Sequence, residues 1–246
     1  MVFLRSILTV FCFFVFGMGS LLIGFIVIPL ITILVKKDKR RLVIATVIHY
    51  AWKLFVSLMS VLRLIKVDTT HLLPLKGCRS TIIVANHLTL IDVVILIGMV
   101  PRTLSFVKGA LAENFFVKRI VKYVYFVVQD DSTLLFNEAT TALGEGFNLV
   151  IFPEGTRSEF GEVPFKRGFA HLALLSGYPV LPIRIRCHPP TLGRTKKWYV
   201  ANRERSKFSF KVGSLCYAAD FKDETQSAHN NAKSFANHVK GVIEAL

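Results

Sequence analysis

Uncharged and mostly apolar positions run without a break from Ser6 to Val35, 30 residues in all. That exceeds the ~20 residues a helix needs to cross the hydrocarbon core of a bilayer. The run is too long for the apolar region of a signal peptide, and no small-residue cleavage site follows it. A basic cluster comes next, Lys36-Lys37-Asp38-Lys39-Arg40-Arg41, against a lone Arg5 ahead of the run. If the segment spans, this asymmetry leaves the rest of the chain on the cytoplasmic side. Gly17, Gly19, Gly24 and Pro29 would also permit a bend into a hairpin that enters one leaflet only. A second apolar stretch, Leu42 to Leu64, carries His49, Lys53 and Arg63. Charges at mid-bilayer are costly, so this stretch reads as a helix at the interface or packed on the first.

After about Leu73 the period changes. Short β-branched and aromatic runs predict strands at 81–85, 104–107, 125–128, 149–152, 180–186 and 208–212. Helical patterns lie between them at 89–99, 112–123, 132–143 (closed by Gly144) and 168–176 (closed by Gly177). A last helix from Asp223 to the C-terminus places Ala232, Phe235, Val239 and Val242 on one face. Strands alternating with helices predict an α/β fold, a mainly parallel mixed sheet flanked by helices and preceded by a hydrophobic helical membrane anchor. Two regions follow: 1–66 as the anchor and 67–246 as the α/β domain. In such sheets ligands bind beyond the C-terminal ends of the strands.

Composition narrows the partners. The net charge of +15 favours an anionic partner, either nucleic acid, acidic lipid or a phosphorylated substrate. A mean hydropathy of +0.50 is high for a soluble nucleic-acid binder, and no nucleic-acid motif accompanies the charge. Cys12, Cys78, Cys187 and Cys216 are scattered without a CxxC pair, which reads as buried thiols in a reducing compartment. No metal-ligand spacing is present among the seven histidines. There is no GxSxG elbow for a serine nucleophile.

Two motifs fall at predicted strand ends. The first is Asn86-His87-Leu88-Thr89-Leu90-Ile91-Asp92. Histidine accepts a proton near neutral pH, and a carboxylate on its other ring nitrogen would fix the tautomer. On one regular helix the two side chains would point about 140° apart. They can meet if His87 lies in the loop and Asp92 in the first helical turn. The spacing Thr89-x-x-Asp92 also fits a capping box, which needs no catalysis. The second motif is Phe152-Pro153-Glu154-Gly155-Thr156-Arg157-Ser158, a buried strand emptying into a turn. Its guanidinium suits a phosphate, and Gly155 allows close backbone approach. Lys166, followed by Arg167 and Gly168, adds charge ahead of a helix.

Together, NHxxxxD at 86–92 and FPEGTRS at 152–158 resemble the glycerolipid acyltransferase family, which includes the lysophosphatidic acid acyltransferases. Val180-Leu181-Pro182-Ile183 is similar to the family's later apolar-proline motif. The resemblance covers roughly Thr81 to Arg186. It implies acyl transfer from acyl-CoA or acyl carrier protein to the hydroxyl of a lysophospholipid, with His87 as base and Asp92 orienting it. No cofactor is implied beyond the acyl donor, and the partners are the bilayer, the acceptor and the thioester. Glu154, Gly155, Thr156 and Arg157 would bind the acceptor, and Asn86, Lys108, Lys166 and Pro182 complete the candidate substrate-binding set. One departure stands out. Members commonly carry Asp-Arg after a strand between the motifs, whereas this chain has Gln129-Asp130. The missing cation leaves room for another acceptor, such as an amino-acid-based or specialised lipid. Two further readings are a transacylase drawing its chain from a phospholipid, and a silent protein that binds anionic membrane.

Overall fold

The computed structural model describes residues 2–108, 113–128, 132–157, 163–194 and 197–246. Helix α1 (Val2–Leu22) continues through a π-helical segment (Ile23–Val27) into α2 (Ile28–Leu34). The glycines and Pro29 therefore do not fold this segment into a hairpin. Pro29 sits in the first turn of α2, where its missing N–H costs nothing. Gly24 lies in the π segment because a side chain there would meet Arg119, whose guanidinium stacks over Phe25 at 4.2 Å. The chain turns at Val35 and Lys36, both extended, and α3 (Lys37–Val61) returns along α1. Phe16 stacks on Trp52 with ring centroids 4.7 Å apart, and Phe13 meets Phe55 edge-on. Val2–Leu34 and Lys37–Val61 are both long and apolar enough to cross a membrane. Their outer faces leave Phe3, Phe14, Ile33, Leu34 and Leu54 exposed.

Among the described residues seven strands form one sheet in the order β1-β7-β6-β2-β5-β3-β4. These are β1 (Ile65–Val67), β2 (Ile82–Ala85), β3 (Thr103–Lys108), β4 (Tyr125–Val128), β5 (Asn148–Ile151), β6 (Val180–His188) and β7 (Ser206–Val212). All pairings are parallel except β6 with β7. The sheet is flanked by helices α4 (Asp92–Met99), α5 (Lys118–Val124), α6 (Ser132–Gly144), α7 (Gly168–Ser176) and α8 (Ala228–Ala245). The mainly parallel mixed sheet read from the alternation of elements is the fold observed. Every residue of β2 is buried, as a strand covered on both faces requires.

Several boundaries differ, among them the last helix, which starts at Ala228 rather than Asp223. Strand β1 was missed because three residues carry too little pattern to separate them from the preceding helix. Helix α4 starts at Asp92 rather than Thr89, for a reason given below. Within the helix read over 112–123, Glu113 is helical, residues 114–117 form a turn and the helix resumes at Lys118, with residues 109–112 outside the described part. Helix α6 does end at Gly144, but the left-handed residue that closes it is Gly146 (φ 82°), whose N–H donates to Leu143 O. Gly177 closes α7 with φ 72° as its position suggested.

Helices α3 and α4 meet at a point of very close approach. A Cβ added to Gly98 would lie 2.9 Å from Lys53 N and 3.1 Å from the Trp52 carbonyl carbon. Only glycine lets these two backbones come so near. The buried His49 ring reinforces the contact, its Nδ1 lying 2.7 Å from Ile97 O.

Candidate active site

Strands β2 and β5 are direct neighbours, with Val84 opposite Ile151. His87 and Glu154 each lie three residues beyond that paired row, so parallel register alone delivers the two motifs to one place. The buried Glu154 carboxylate accepts the backbone N–H of His87 at 3.3 Å. The His87 imidazole stacks on Phe152 at 4.3 Å with planes 23° apart. Its Nδ1 lies 3.0 Å from Asp92 Oδ2. A carboxylate can only accept, so Nδ1 carries the proton and Nε2 is left as the basic nitrogen.

Asp92 does more than hold the ring. It is fully buried, and Oδ2 also accepts the N–H groups of Leu88 and Thr89, each at 2.7 Å. Oδ1 accepts the Thr89 hydroxyl at 2.5 Å. Four donors thus compensate the desolvation of one carboxylate. They also explain why α4 starts late. Wrapping residues 88–91 around the carboxylate holds them in a non-helical loop. The Thr89 hydroxyl donates to Asp92 instead of accepting its N–H, so the capping box is only half formed. One carboxylate serves both the loop and His87.

The other candidates divide. Gly155 adopts φ 64°, and a side chain there would press on Lys166, whose Nζ would be 3.3 Å from its Cβ. Gly155, Thr156, Arg157 and Lys166 all line a cavity beside His87. Arg157 is already engaged, donating through Nη1 to the carbonyls of Leu192 and Gly193 at 3.1 Å each. Leu192 O also accepts the Leu90 N–H at 3.1 Å. The segment after β6 therefore ties the two motif loops together, with Leu192 in the left-handed region (φ 52°). Pro189-Pro190-Thr191-Leu192-Gly193 reads as a turn in sequence, but nothing in it names the partners.

Asn86 and Glu154 do not line the cavity. The Asn86 side chain extends the β2–β6 ladder, accepting from Ile185 N at 2.7 Å and donating to Ile185 O at 2.9 Å. Pro182 sits inside β6 opposite Val84 and is also absent from the cavity wall. Asn86 and Glu154 instead bond backbone beside the motif loops. Lys108 ends β3, beside Val128 of β4, and its side chain lies outside the described part, as do Ser158, Gln129 and Asp130.

The cavity measures about 870 Å³ and is mostly apolar, in the range of pockets that enclose elongated small molecules. It starts at His87 and Arg157 and continues between the sheet, α5 and the inner face of the N-terminal helices, where Phe13, Phe16, Trp52 and Phe55 form its wall. The sequence reading missed this wall, because it treated the N-terminal helices as an anchor alone. Cys187 is a packed thiol: burial first, then the nearby Asp92 charge, push its pKa up to about 12.

The acyltransferase family model matches residues 65–186, about half of the chain and the part that carries both motif loops. A 1-acyl-sn-glycerol-3-phosphate acyltransferase of Cocos nucifera is 29% identical over 42% of this chain and 36% of its own length. The beta form of that enzyme from Homo sapiens is 26% identical over 52% of this chain and 49% of its own length. The chain thus spans a third to a half of the length of these relatives. The fold matches the crystal structure of the 1-acyl-sn-glycerophosphate acyltransferase PlsC from Thermotoga maritima, with a TM-score of 0.66 and 22% identity, covering 98% of this chain and 97% of that one. With both motif loops inside the matched region and the same fold around them, the chain belongs to the acyltransferase family.

Proposed function

We propose that this protein is an O-acyltransferase that moves a fatty acyl group from a thioester, acyl-CoA or acyl carrier protein, to the hydroxyl of a lysophospholipid resembling 1-acyl-glycerol-3-phosphate. The observation that carries this reading is the His87–Asp92 pair, with no partner on Nε2 among the described residues, beside a mostly apolar cavity of about 870 Å³. In the proposed step His87 Nε2 takes the acceptor's hydroxyl proton as its oxygen bonds to the thioester carbonyl carbon. The carbon–sulfur bond then breaks, and the imidazolium returns the proton to the leaving thiolate. Asp92 stabilises the imidazolium while it exists. Base catalysis of this kind contributes on the order of 10²–10⁴-fold. No cofactor enters the scheme.

Lys166 and the remaining donors of Arg157 supply positive charge for the acceptor's headgroup. The relatives named above are 1-acyl-sn-glycerol-3-phosphate acyltransferases by name, which supports a phosphate-bearing acceptor. The N-terminal helices hold the protein on the membrane. Arg5 donates to the carbonyls of Asn202 and Glu204, Phe13 meets Trp198 edge-on and Gly24 touches Arg119. A helix docked along its length on the α/β domain favours insertion into one leaflet over a crossing. The basic cluster after Val35 and the thioester donor both favour the cytoplasmic face.

The test is acyl transfer by the full chain in membranes with labelled acyl-CoA and lysophosphatidic acid. His87→Ala is expected to lose at least 10²-fold in rate while accumulating normally. Wild-type turnover that persists without any thioester would replace this reading with a transacylase, and normal turnover by His87→Ala would overturn the mechanism.

A further inference from the structure

Away from His87 the cavity wall is largely hydrocarbon, its polar groups being the Trp52 indole N–H, the Ser105 hydroxyl and the Tyr125 hydroxyl. Tyr125 opens β4 and faces the cavity. The row across the sheet runs Ile83, Val150, Ser105, Tyr125. Tyr125 therefore stands three strand spacings, roughly 14 Å, to the side of the strand that leads to His87. Its phenolic oxygen accepts a hydrogen bond from Trp52 Nε1 at 3.4 Å. Trp52 is itself fixed by stacking on Phe16. With that lone pair used, the Tyr125 O–H remains to donate, and no acceptor for it lies within reach among the described residues. Ser105, its neighbour on the same face, is committed through Oγ to Val150 O at 3.0 Å. Burial pushes the Tyr125 pKa up to about 12, so the group stays a donor at any working pH.

A hydroxyl enclosed in an apolar cavity without an acceptor is unfavourable, and a ligand oxygen brought to it removes that penalty. A site built to hydrogen-bond an oxygen also discriminates against the analogue that lacks one. We propose that Tyr125 recognises an oxygen carried by the acyl chain at a distance from its thioester, so that the enzyme selects hydroxy- or keto-substituted acyl chains over plain ones. The proposal rests on the reading of this cavity as the acyl site.

The test uses a series of hexadecanoyl-CoA donors carrying one hydroxyl at successive positions in the outer half of the chain, beside unsubstituted hexadecanoyl-CoA. The wild-type protein is expected to use one positional isomer about tenfold better in kcat/KM. In Tyr125→Phe that ratio falls to about one. Absence of any preferred isomer in the wild type, or a preference that survives Tyr125→Phe, overturns the assignment. Val107→Trp narrows the cavity at a half-buried wall position, with Leu135→Trp as a substitute should that variant unfold. If neither donor is affected by the narrowing, the acyl-site reading itself fails. If the narrowing blocks both donors while Tyr125→Phe leaves the ratio unchanged, only the Tyr125 assignment falls. An independent readout is Trp52 fluorescence in Trp198→Phe protein, since the chain has two tryptophans. The preferred hydroxyacyl donor should perturb Trp52 more than the plain donor does, and equal perturbation counts against the proposal.

Discussion

Replacing Asp92 separates its two duties. The carboxylate accepts four hydrogen bonds, from His87 Nδ1, Leu88 N, Thr89 N and the Thr89 hydroxyl, in a place with no solvent access. Alanine removes every acceptor at once. The Thr89 hydroxyl can rotate and His87 can reorient, but the two backbone N–H groups have nowhere to turn. At about 1–3 kcal/mol for each buried donor left unsatisfied, Asp92→Ala should cost about 2–6 kcal/mol. That is a large part of a typical domain stability of 5–15 kcal/mol. Asparagine keeps one oxygen in the Oδ2 position, which can still accept from the loop, and turns its amide toward a Thr89 hydroxyl able to accept. Its stability cost should be about 1 kcal/mol, one ordinary hydrogen bond. It cannot stabilise an imidazolium, so acyl transfer should fall by roughly 10²–10⁴-fold, by analogy with the loss when a triad aspartate becomes asparagine. Denaturant unfolding of the purified protein, read beside turnover, measures both effects. Equal stability of Asp92→Ala and Asp92→Asn would refute the loop network. Turnover by Asp92→Asn within twofold of wild type would refute the role in catalysis.

Two further outcomes follow from the packing and the charges. An exposed helical Gly→Ala change normally gains about 1 kcal/mol, but Gly98→Ala should instead lose about 1–3 kcal/mol as an overpacking substitution, because the clash is with the Lys53 backbone; a stabilised variant in thermal unfolding would contradict the α3–α4 contact. His171 on α7 has its pKa lowered by burial first and then by His229 of α8 and Arg167. The unfolded chain takes up this proton near pH 6.5 before the folded one does, so stability is intact above that pH and is lost as pH falls below it. The drop in melting temperature between pH 7.5 and 5.5 should therefore be smaller in His171→Gln than in wild type, and parallel profiles would count against it.

The linear pattern alone determined much of this protein. Strand and helix periods differ enough that the alternation of elements, and so the mainly parallel sheet, could be read directly. The two motifs could be placed at strand ends because turn residues follow apolar runs there. Short elements escaped: β1 has three residues, too few for any period to show. Tertiary structure decided what each motif side chain touches. Sequence could not choose between Asp92 as a cap and Asp92 as a partner of His87, since both need only a carboxylate near a loop. The folded loop answers by wrapping four donors around it. Glu154 and Asn86 read as substrate ligands from the resemblance, and the fold adds that each hydrogen-bonds backbone of a neighbouring strand or its loop, because parallel register puts β2 beside both β5 and β6. The N-terminal helices read as an anchor from hydropathy alone. That they also wall the cavity, and set Trp52 against Tyr125, depends on contacts between residues more than 70 positions apart, which no local pattern encodes.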